Sequence, residues 1–126
     1  MKLTHKANAI NKTREDGTKI SYYIFDEYEV HYGEVPPGVT QPWHHHEKIS
    51  ETLYIIEGKV EVYSFEDGKK QTQVLVPGDL LDVEDTPHTL ANPFAETCKM
   101  VAFRFVPAGE NQHEVIKNDK VLHPEL

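Results

Sequence analysis

The sequence has only one cysteine and no long hydrophobic run, and both scarcities limit what the chain can be. With Cys98 alone, no disulfide can form within the chain, which favours a reducing compartment. No stretch approaches the roughly 20 apolar residues that cross a membrane, and residues 1–16 lack the apolar segment of a signal peptide. We therefore expect a cytoplasmic protein with no membrane partner.

Basic residues are scarce relative to acidic ones. The 126 residues include 13 Lys and Arg against 21 Asp and Glu, which gives a net charge of −8. Nucleic-acid binding depends on Lys and Arg that meet phosphates, so this balance argues against a nucleic-acid partner. The total does not fix the sign of the charge inside a pocket. The length fits one domain with one hydrophobic core.

Most of the chain consists of short apolar or alternating runs separated by turn signals, and no convincing amphipathic helix precedes residue 107. Such runs predict strands, and together they indicate an all-β fold. The predicted strands are 20–26, 28–35, 43–46, 51–56, 59–65, 71–76, 80–83 and 97–106. Asp67-Gly68 predicts a tight hairpin, because this pair supplies the positive φ angles that such a turn requires. The last strand is apolar on both faces, which predicts burial from two sides.

The most informative stretch reads HHHEKISE, and it contains three candidate metal ligands. Side chains two residues apart on a strand project to one face, so His44 and His46 point together. A turn through residues 47–50 would bring Glu51 to the same point, and His88 follows later in the chain. Three imidazoles and one carboxylate suit a divalent first-row transition metal, namely Mn, Fe, Ni, Cu or Zn. The alternative is a chance surface cluster of histidines.

This stretch resembles the first motif of the cupins, which is Gly, five residues, His-x-His, three or four residues, Glu, six residues and Gly. Gly38, His44, His46, Glu51 and Gly58 match it at every required position. Five identities at fixed spacing make this a specific signal.

The second cupin motif ends in His-x-x-x-Asn, which His88 and Asn92 match. Its opening differs here, because Gly78 stands one residue closer to the histidine and Pro87 directly precedes it. The resemblance covers roughly residues 28–106. It implies a single-domain double-stranded β-helix, that is, a jelly-roll barrel. We expect an N-terminal arm at 1–18, the barrel at 19–106 and a polar C-terminal tail at 107–126.

Other residues near the motifs have weaker claims to function. Three residues are candidates for a substrate pocket. The alternative role is packing for Trp43, backbone support for Asn92 and an ion pair for Arg104. His45 should face away from the ligands. The remaining histidines are scattered, and we expect exposed or packing roles for them: His5, His31, His113 and His123. The tail could hold one short helix around residues 112–118 or form an extended arm.

The cupin resemblance implies a metal-dependent enzyme that acts on a small oxygenated molecule. Dioxygenases, isomerases or epimerases, decarboxylases and cyclases all belong to that family, and the three-His, one-Glu set resembles the dioxygenase group. The alternatives are a metal-dependent isomerase or epimerase and a non-catalytic small-molecule-binding module. A barrel of this size has exposed strand edges, which predicts a homodimer.

Overall fold

The computed structural model describes residues 1–106 and 112–126, and it shows two antiparallel β-sheets that share one hydrophobic core. The strands are β1 Ile10–Thr13, β2 Lys19–Ile24, β3 Tyr28–Val35, β4 His44–His45, β5 Ser50–Glu57, β6 Val60–Glu66, β7 Lys69–Leu75, β8 Leu80–Asp82, β9 His88–Ala91, β10 Cys98–Phe105 and β11 Val121–Leu122. A short 3-10 segment spans Lys6–Asn8, and one α-helix, α1, spans Gln112–Asn118.

The order of the strands confirms the jelly-roll prediction. The first sheet runs β1-β2-β3-β10-β5-β8 and the second runs β11-β4-β9-β6-β7. The chain therefore changes sheet repeatedly, for example between β4 and β5 and between β9 and β10. Residues on the inner faces of both sheets can thus meet in the middle of the barrel.

The core follows from the alternation that the sequence shows. On β5, Leu53 and Ile55 are buried, and on β6 Val60 and Val62 are buried, while their neighbours in sequence point outward. Ile55 is completely inaccessible to solvent. Truncation of such a side chain to Ala costs about 2–5 kcal/mol of stability, because it leaves a cavity.

Two turns confirm that glycine is needed at particular positions. In the β6–β7 hairpin, Asp67 and Gly68 both have positive φ angles, of 51° and 73°, and they join the paired residues Glu66 and Lys69. A Cβ atom at Gly58 would lie 2.5 Å from the backbone oxygen of Thr97. The glycine that closes the first motif is therefore required by close packing as well as by its φ of 76°.

The chain termini contribute more structure than their polar sequences indicate. Strand β1, from within the predicted N-terminal arm, pairs with β2 and extends the first sheet. In the C-terminal tail the structure shows the helical alternative, α1, followed by β11, which pairs with β4. Residues 107–111 of the predicted tail lie outside the described residues. In the part of the chain that is described, no helix has the length and apolar character needed to span a membrane.

The last long strand corrects one prediction, since β10 is buried on a single face. Cys98, Met100 and Ala102 lie in the core, whereas Phe103 on the opposite face is 38% exposed. The prediction of burial from two sides is wrong for the described chain, because the second face of β10 lies on the outside of the first sheet. The homodimer stays a prediction.

Candidate metal centre

Two sheets bring the predicted ligands together at the barrel centre. On the second sheet, His44 of β4 pairs in register with His88 of β9. On the first sheet, Glu51 of β5 pairs in register with Arg104 of β10. His46 lies in the segment that crosses between the sheets. Residues far apart in sequence thus converge because the jelly roll places β4, β5 and β9 around one point.

The three histidines form a close, buried group. His44, His46 and His88 each offer one ring nitrogen, and these nitrogens lie within 4.8 Å of one another. The side chains are almost inaccessible to solvent, with exposed fractions of 6%, 1% and 3%. Glu51 lies beside the group and is 2% exposed. Its carboxylate oxygens are 3.7 Å from Nε2 of His46 and 4.0 Å from Nε2 of His88.

Backbone carbonyls fix the tautomer of each histidine. Nδ1 of His44 donates to the carbonyl oxygen of Pro42 at 2.9 Å, and Nδ1 of His88 donates to that of Thr86 at 2.8 Å. Nδ1 of His46 donates to the carbonyl oxygen of Asp119 at 3.1 Å. A carbonyl only accepts, so the proton of each neutral ring must be on Nδ1. Each Nε2 then presents a bare lone pair to the centre.

The surroundings of the site keep His44 and His88 neutral and the Glu51 carboxylate ionised. Burial lowers the pKa of His44 to about 3, and burial also lowers the pKa of His88. For Glu51, burial alone would raise the pKa, but the nearby guanidinium of Arg104, with His46 and His88, outweighs it and holds the pKa below its usual range. Neutral imidazoles and an ionised carboxylate are the forms that bind metals.

A divalent cation fits this arrangement. Nε2 of His46 is buried and has no hydrogen-bond partner among the described residues, and it faces the Glu51 carboxylate. A bare imidazole nitrogen beside a carboxylate oxygen is unfavourable in a buried site, because both atoms are acceptors. A first-row metal ion would satisfy both, and nitrogen donors with one carboxylate are a set that such ions accept.

Arg104 forms an ion pair with Glu51, which was the alternative to a role in the substrate pocket. Its Nε contacts Oε2 of Glu51, and both groups are largely buried. The guanidinium therefore compensates the charge of this carboxylate. Arg104 also lines the central cavity, so a role in the pocket remains compatible with this ion pair.

Asp119 is a functional residue that the sequence reasoning missed. Its Oδ2 accepts hydrogen bonds from three successive backbone N–H groups, those of Glu47, Lys48 and Ile49, at 3.0, 2.7 and 3.0 Å. Its carbonyl oxygen also accepts from His46. This one residue of the C-terminal segment fixes the turn that carries the chain from His46 to Glu51. The only sequence signal was a lone aspartate in a polar tail.

His45 points away from the ligand group, and its partner is His123. Nδ1 of His45 lies 2.5 Å from Nε2 of His123, and a carboxylate lies at each end of the pair. Glu47 is 3.2 Å from His45, and Glu125 is 2.8 Å from His123. Both nitrogens of each ring are engaged, which leaves these two histidines without a free lone pair for a metal.

The other two pocket candidates lie away from the cavity. The Asn92 side chain donates to the backbone oxygens of Val35 and Glu96 and accepts from the N–H of Phe94. All its polar atoms therefore support the backbone. Trp43 is half-buried, and neither of the cavity chambers next to the histidines includes it.

Two chambers with shared wall residues adjoin the candidate metal centre. The narrow chamber, of about 80 Å³, is lined by His44, His88 and Glu51. The wide chamber, of about 330 Å³, is lined by His46 and by α1 through Ile116. Residues that line both are Arg14, Tyr22, His31, Arg104 and Lys120.

His31 was expected to be exposed or to have a packing role, but it is a buried wall residue of both chambers. Its Nε2 lies 2.9 Å from Glu29, and burial lowers its pKa, with the charge of Arg104 acting in the same direction. Its position could have been predicted, because it shares strand parity with the buried Val35.

Fold and site together define a β-barrel with a buried group of histidines, and comparison with known families agrees. The sequence profile of the cupin domain family matches residues 31–104, which is more than half of the chain. The chain belongs to this family. A comparison with curated proteins gives no match.

Solved structures show the same fold at low sequence identity. An oxalate decarboxylase from Bacillus subtilis, determined at pH 4.6, aligns with a TM-score of 0.73 and 18% identity over 93% of this chain and 30% of that one. The Lactobacillus farciminis oxalate decarboxylase in its formate complex gives 0.72 and 17% over 97% of this chain and 37% of that one. The chain thus spans about a third of the length of these enzymes.

A different kind of protein shares the fold as well. A chain in the structure of Drosophila melanogaster CENP-C bound to CAL1 aligns with a TM-score of 0.69 and 18% identity, over 81% of this chain and 84% of that one. Enzymes and a protein complex therefore appear among the similar structures. The function of this chain must be argued from its site, since the fold hosts several functions.

Proposed function

We propose that the chain is a metal-dependent cupin enzyme that acts on a small oxygenated molecule. His44, His46, His88 and Glu51 would hold one divalent first-row transition metal, which is Mn, Fe, Ni, Cu or Zn. The observation that carries this proposal is the set of three buried Nε2 lone pairs, fixed by backbone carbonyls, that converge beside an ionised carboxylate. A surface histidine cluster would show neither this burial nor this shared orientation.

The donor set suits catalysis better than a purely structural role. Four protein ligands leave open positions on an ion that prefers six, whereas structural sites are closed by their own ligands. When bound, such an ion supplies Lewis acidity and, in the case of iron, chemistry with dioxygen. The adjoining chambers have room for a small molecule next to the ligands.

The residues around the ligands have supporting tasks in this proposal. The carbonyls of Pro42, Thr86 and Asp119 hold each imidazole in the orientation that directs Nε2 inward. Arg104 keeps Glu51 ionised. Such outer partners commonly affect metal affinity by about 10–100-fold when they are removed.

A dioxygenase is the reaction class that we propose first, and an isomerase or epimerase is the alternative. Similarity to oxalate decarboxylases at 17–18% identity supports the fold only, so it does not select a reaction. A non-catalytic small-molecule-binding module is the third candidate, since the chambers could bind a small molecule without turnover.

The test uses untagged protein that is stripped of metal and reconstituted separately with Fe(II), Mn(II) and Zn(II). Each form is mixed with a panel of small hydroxy-acid, enediol and diketone compounds, in air and under argon, while oxygen uptake and product NMR are recorded. A dioxygenase predicts iron-dependent oxygen uptake that His46→Ala abolishes and His45→Ala preserves. Turnover under argon with Mn or Zn would select the isomerase. Ligand binding without turnover in every form would contradict the enzymatic proposal.

A further inference from the structure

The cavity beside the candidate metal centre is cationic although the chain as a whole is acidic. Five of the 13 Lys and Arg line the wide chamber, while Glu29 is its single acidic wall residue among those described. The five cations are Lys12, Arg14, Arg104, Lys117 and Lys120. A net charge of −8 makes this local reversal of sign a specific feature of the cavity.

Arg14 and Lys120 are two wall cations without an ion pair in the described part of the chain. Arg104 contacts Glu51, but no carboxylate lies within 4.0 Å of Arg14 or Lys120 in residues 1–106 and 112–126. Both side chains line both chambers. Desolvation of its ammonium group lowers the pKa of Lys120 to about 8, and the charges of Arg14 and Arg104 add to this effect. Positive charges are thus close to one another at this wall.

A buried hydroxyl in the same wall also lacks a partner. Thr18 lines the narrow chamber, is 1% exposed, and its Oγ1 has no hydrogen-bond partner among the described residues. A buried polar atom without a partner costs stability unless a ligand or water satisfies it. The hydroxyl can donate to an oxyanion, and the guanidinium of Arg14 can bind one through two parallel N–H groups.

The cupin profile matches residues 31–104, and Arg14, Thr18 and Lys120 lie outside this range. They come from the two terminal segments of the chain. Arg14 and Thr18 belong to the turn between β1 and β2, in which the backbone N–H of Arg14 donates to the backbone carbonyl oxygen of Thr18. Lys120 directly follows Asp119, whose hydrogen bonds fix it to the ligand-bearing turn. Arg14 and Lys120 therefore lie outside the matched residues, on segments whose backbone is fixed by hydrogen bonds.

We propose that Arg14, Thr18 and Lys120 form an oxyanion subsite, and that the substrate is a small organic anion with a carboxylate or phosphate group bound there. This inference rests on the proposed function, since it names the substrate class of the same centre. The anionic group would bind at the wall that the two chambers share, and the rest of the molecule would extend towards His44, His46 and His88. The local potential would also concentrate anions at the cavity.

The test measures anion binding to metal-free protein, so that it does not depend on metal binding. Malonate, inorganic phosphate and the neutral analogue malonamide are titrated by calorimetry at pH 7 in a low-salt buffer that contains neither anion. The wild type should bind malonate or phosphate and not malonamide. Arg14→Gln and Lys120→Gln should each weaken binding by about tenfold through loss of a charge-assisted hydrogen bond. Arg14→Lys, which retains the charge, should restore part of the affinity.

Lys69→Gln is the matched control. It removes one exposed charge from the β6–β7 hairpin of the second sheet, away from the cavity. Its anion affinity should equal that of the wild type. Thermal unfolding of each variant verifies the fold, and the Arg14 backbone bonds do not need the side chain. Tighter binding of malonate assigns a carboxylate, and tighter binding of phosphate assigns a phosphate.

Two results would overturn the subsite: equal affinity for malonamide and malonate, or unchanged anion affinity in the Arg14→Gln/Lys120→Gln double variant. Metal analysis of the same preparations after reconstitution with divalent metal separates the two proposals. A chain that binds malonate but takes up no metal would retain the oxyanion subsite and reject the metal-dependent enzyme. A chain that takes up metal but shows either overturning result would retain the metal-dependent enzyme and reject the oxyanion subsite.

Discussion

Two groups of histidines in this molecule differ in what their ring nitrogens can do. His44, His46 and His88 each donate Nδ1 to a backbone carbonyl and keep Nε2 bare in a buried centre. His45 and His123 bond to each other, and each bonds to an exposed glutamate as well. Adjacent residues of one HHH triplet therefore differ in metal-binding capacity. The difference comes from the hydrogen-bond partner of each ring, which residue type alone does not reveal.

Replacement of neighbouring histidines should give the largest contrast. His46→Ala removes a ligand and should weaken metal binding by more than about 100-fold, since loss of an outer partner alone costs about 10–100-fold. His45→Ala is the matched control and should retain wild-type affinity. Competition with a metal-sensitive dye measures both. Equal affinities in the two variants would show that the assignment of the two groups is wrong.

Asp119 should rank next, because it fixes the turn between the two ligand-bearing strands. Asp119→Ala removes a charged acceptor of three backbone N–H groups and should cost about 2–4 kcal/mol of stability. We also expect about 10–100-fold weaker metal binding, as for other outer partners of ligands. Urea unfolding and dye competition measure the two effects.

The control for this variant is Asp79→Ala. Asp79 also accepts a backbone hydrogen bond, from Val76 at 2.9 Å, but in an exposed turn away from the centre. Asp79→Ala should lose much less stability than Asp119→Ala, and its metal affinity should not change. If both variants behaved alike, the role of Asp119 in the site would be excluded.

The buried histidine group should also make stability depend on pH. The pKa of His44 is about 3 in the folded chain against an ordinary value of 6.5, and that of His88 is lowered too. Below pH 6.5 the unfolded chain binds protons that the folded chain does not, so metal-free protein should lose stability as the pH falls from about 6.5 towards 3. Urea midpoints between pH 7.5 and 4 measure this, and His44→Gln should flatten the curve. A wild-type curve that was already flat in this range would contradict the buried neutral group.

The smallest effect should come from the second histidine group. His123→Gln breaks the link to His45 and should cost only about 0.5–1 kcal/mol, since the pair is partly exposed. Metal content should be the same as in the wild type. A loss of metal comparable to that of His46→Ala would make His123 part of the centre.

Sequence patterns were sufficient for the barrel and its ligand candidates, but not for the residues that orient them. Apolar or alternating runs at β3, β5 and β6 and the Asp67-Gly68 turn predicted strands and a hairpin that the structure confirms. Asp119 and His123 escaped prediction because their partners are 70 or more positions away in sequence. Only folding brings them to the histidine triplet.

The cationic cavity was also beyond the sequence. The net charge of −8 gave no sign of it, since Arg14 and Lys120 are isolated in two polar terminal segments. Pairing of β1 with β2 and of β11 with β4 brings those segments to the same wall. For β10 the sequence predicted too much burial. Apolar residues on both faces of a strand do not reveal whether a second layer covers the outward face.

Elemental analysis of untagged protein tests whether the three bare imidazole nitrogens and the carboxylate bind a divalent metal. Wild-type chain is compared with Glu51→Ala and with a variant in which His44, His46 and His88 are all replaced by Ala. We expect about one first-row metal per chain in the wild type, less in Glu51→Ala and none in the triple variant. A wild type that holds no metal, even after reconstitution with each of Mn, Fe, Ni, Cu and Zn, would show that the buried histidine group is not a metal centre.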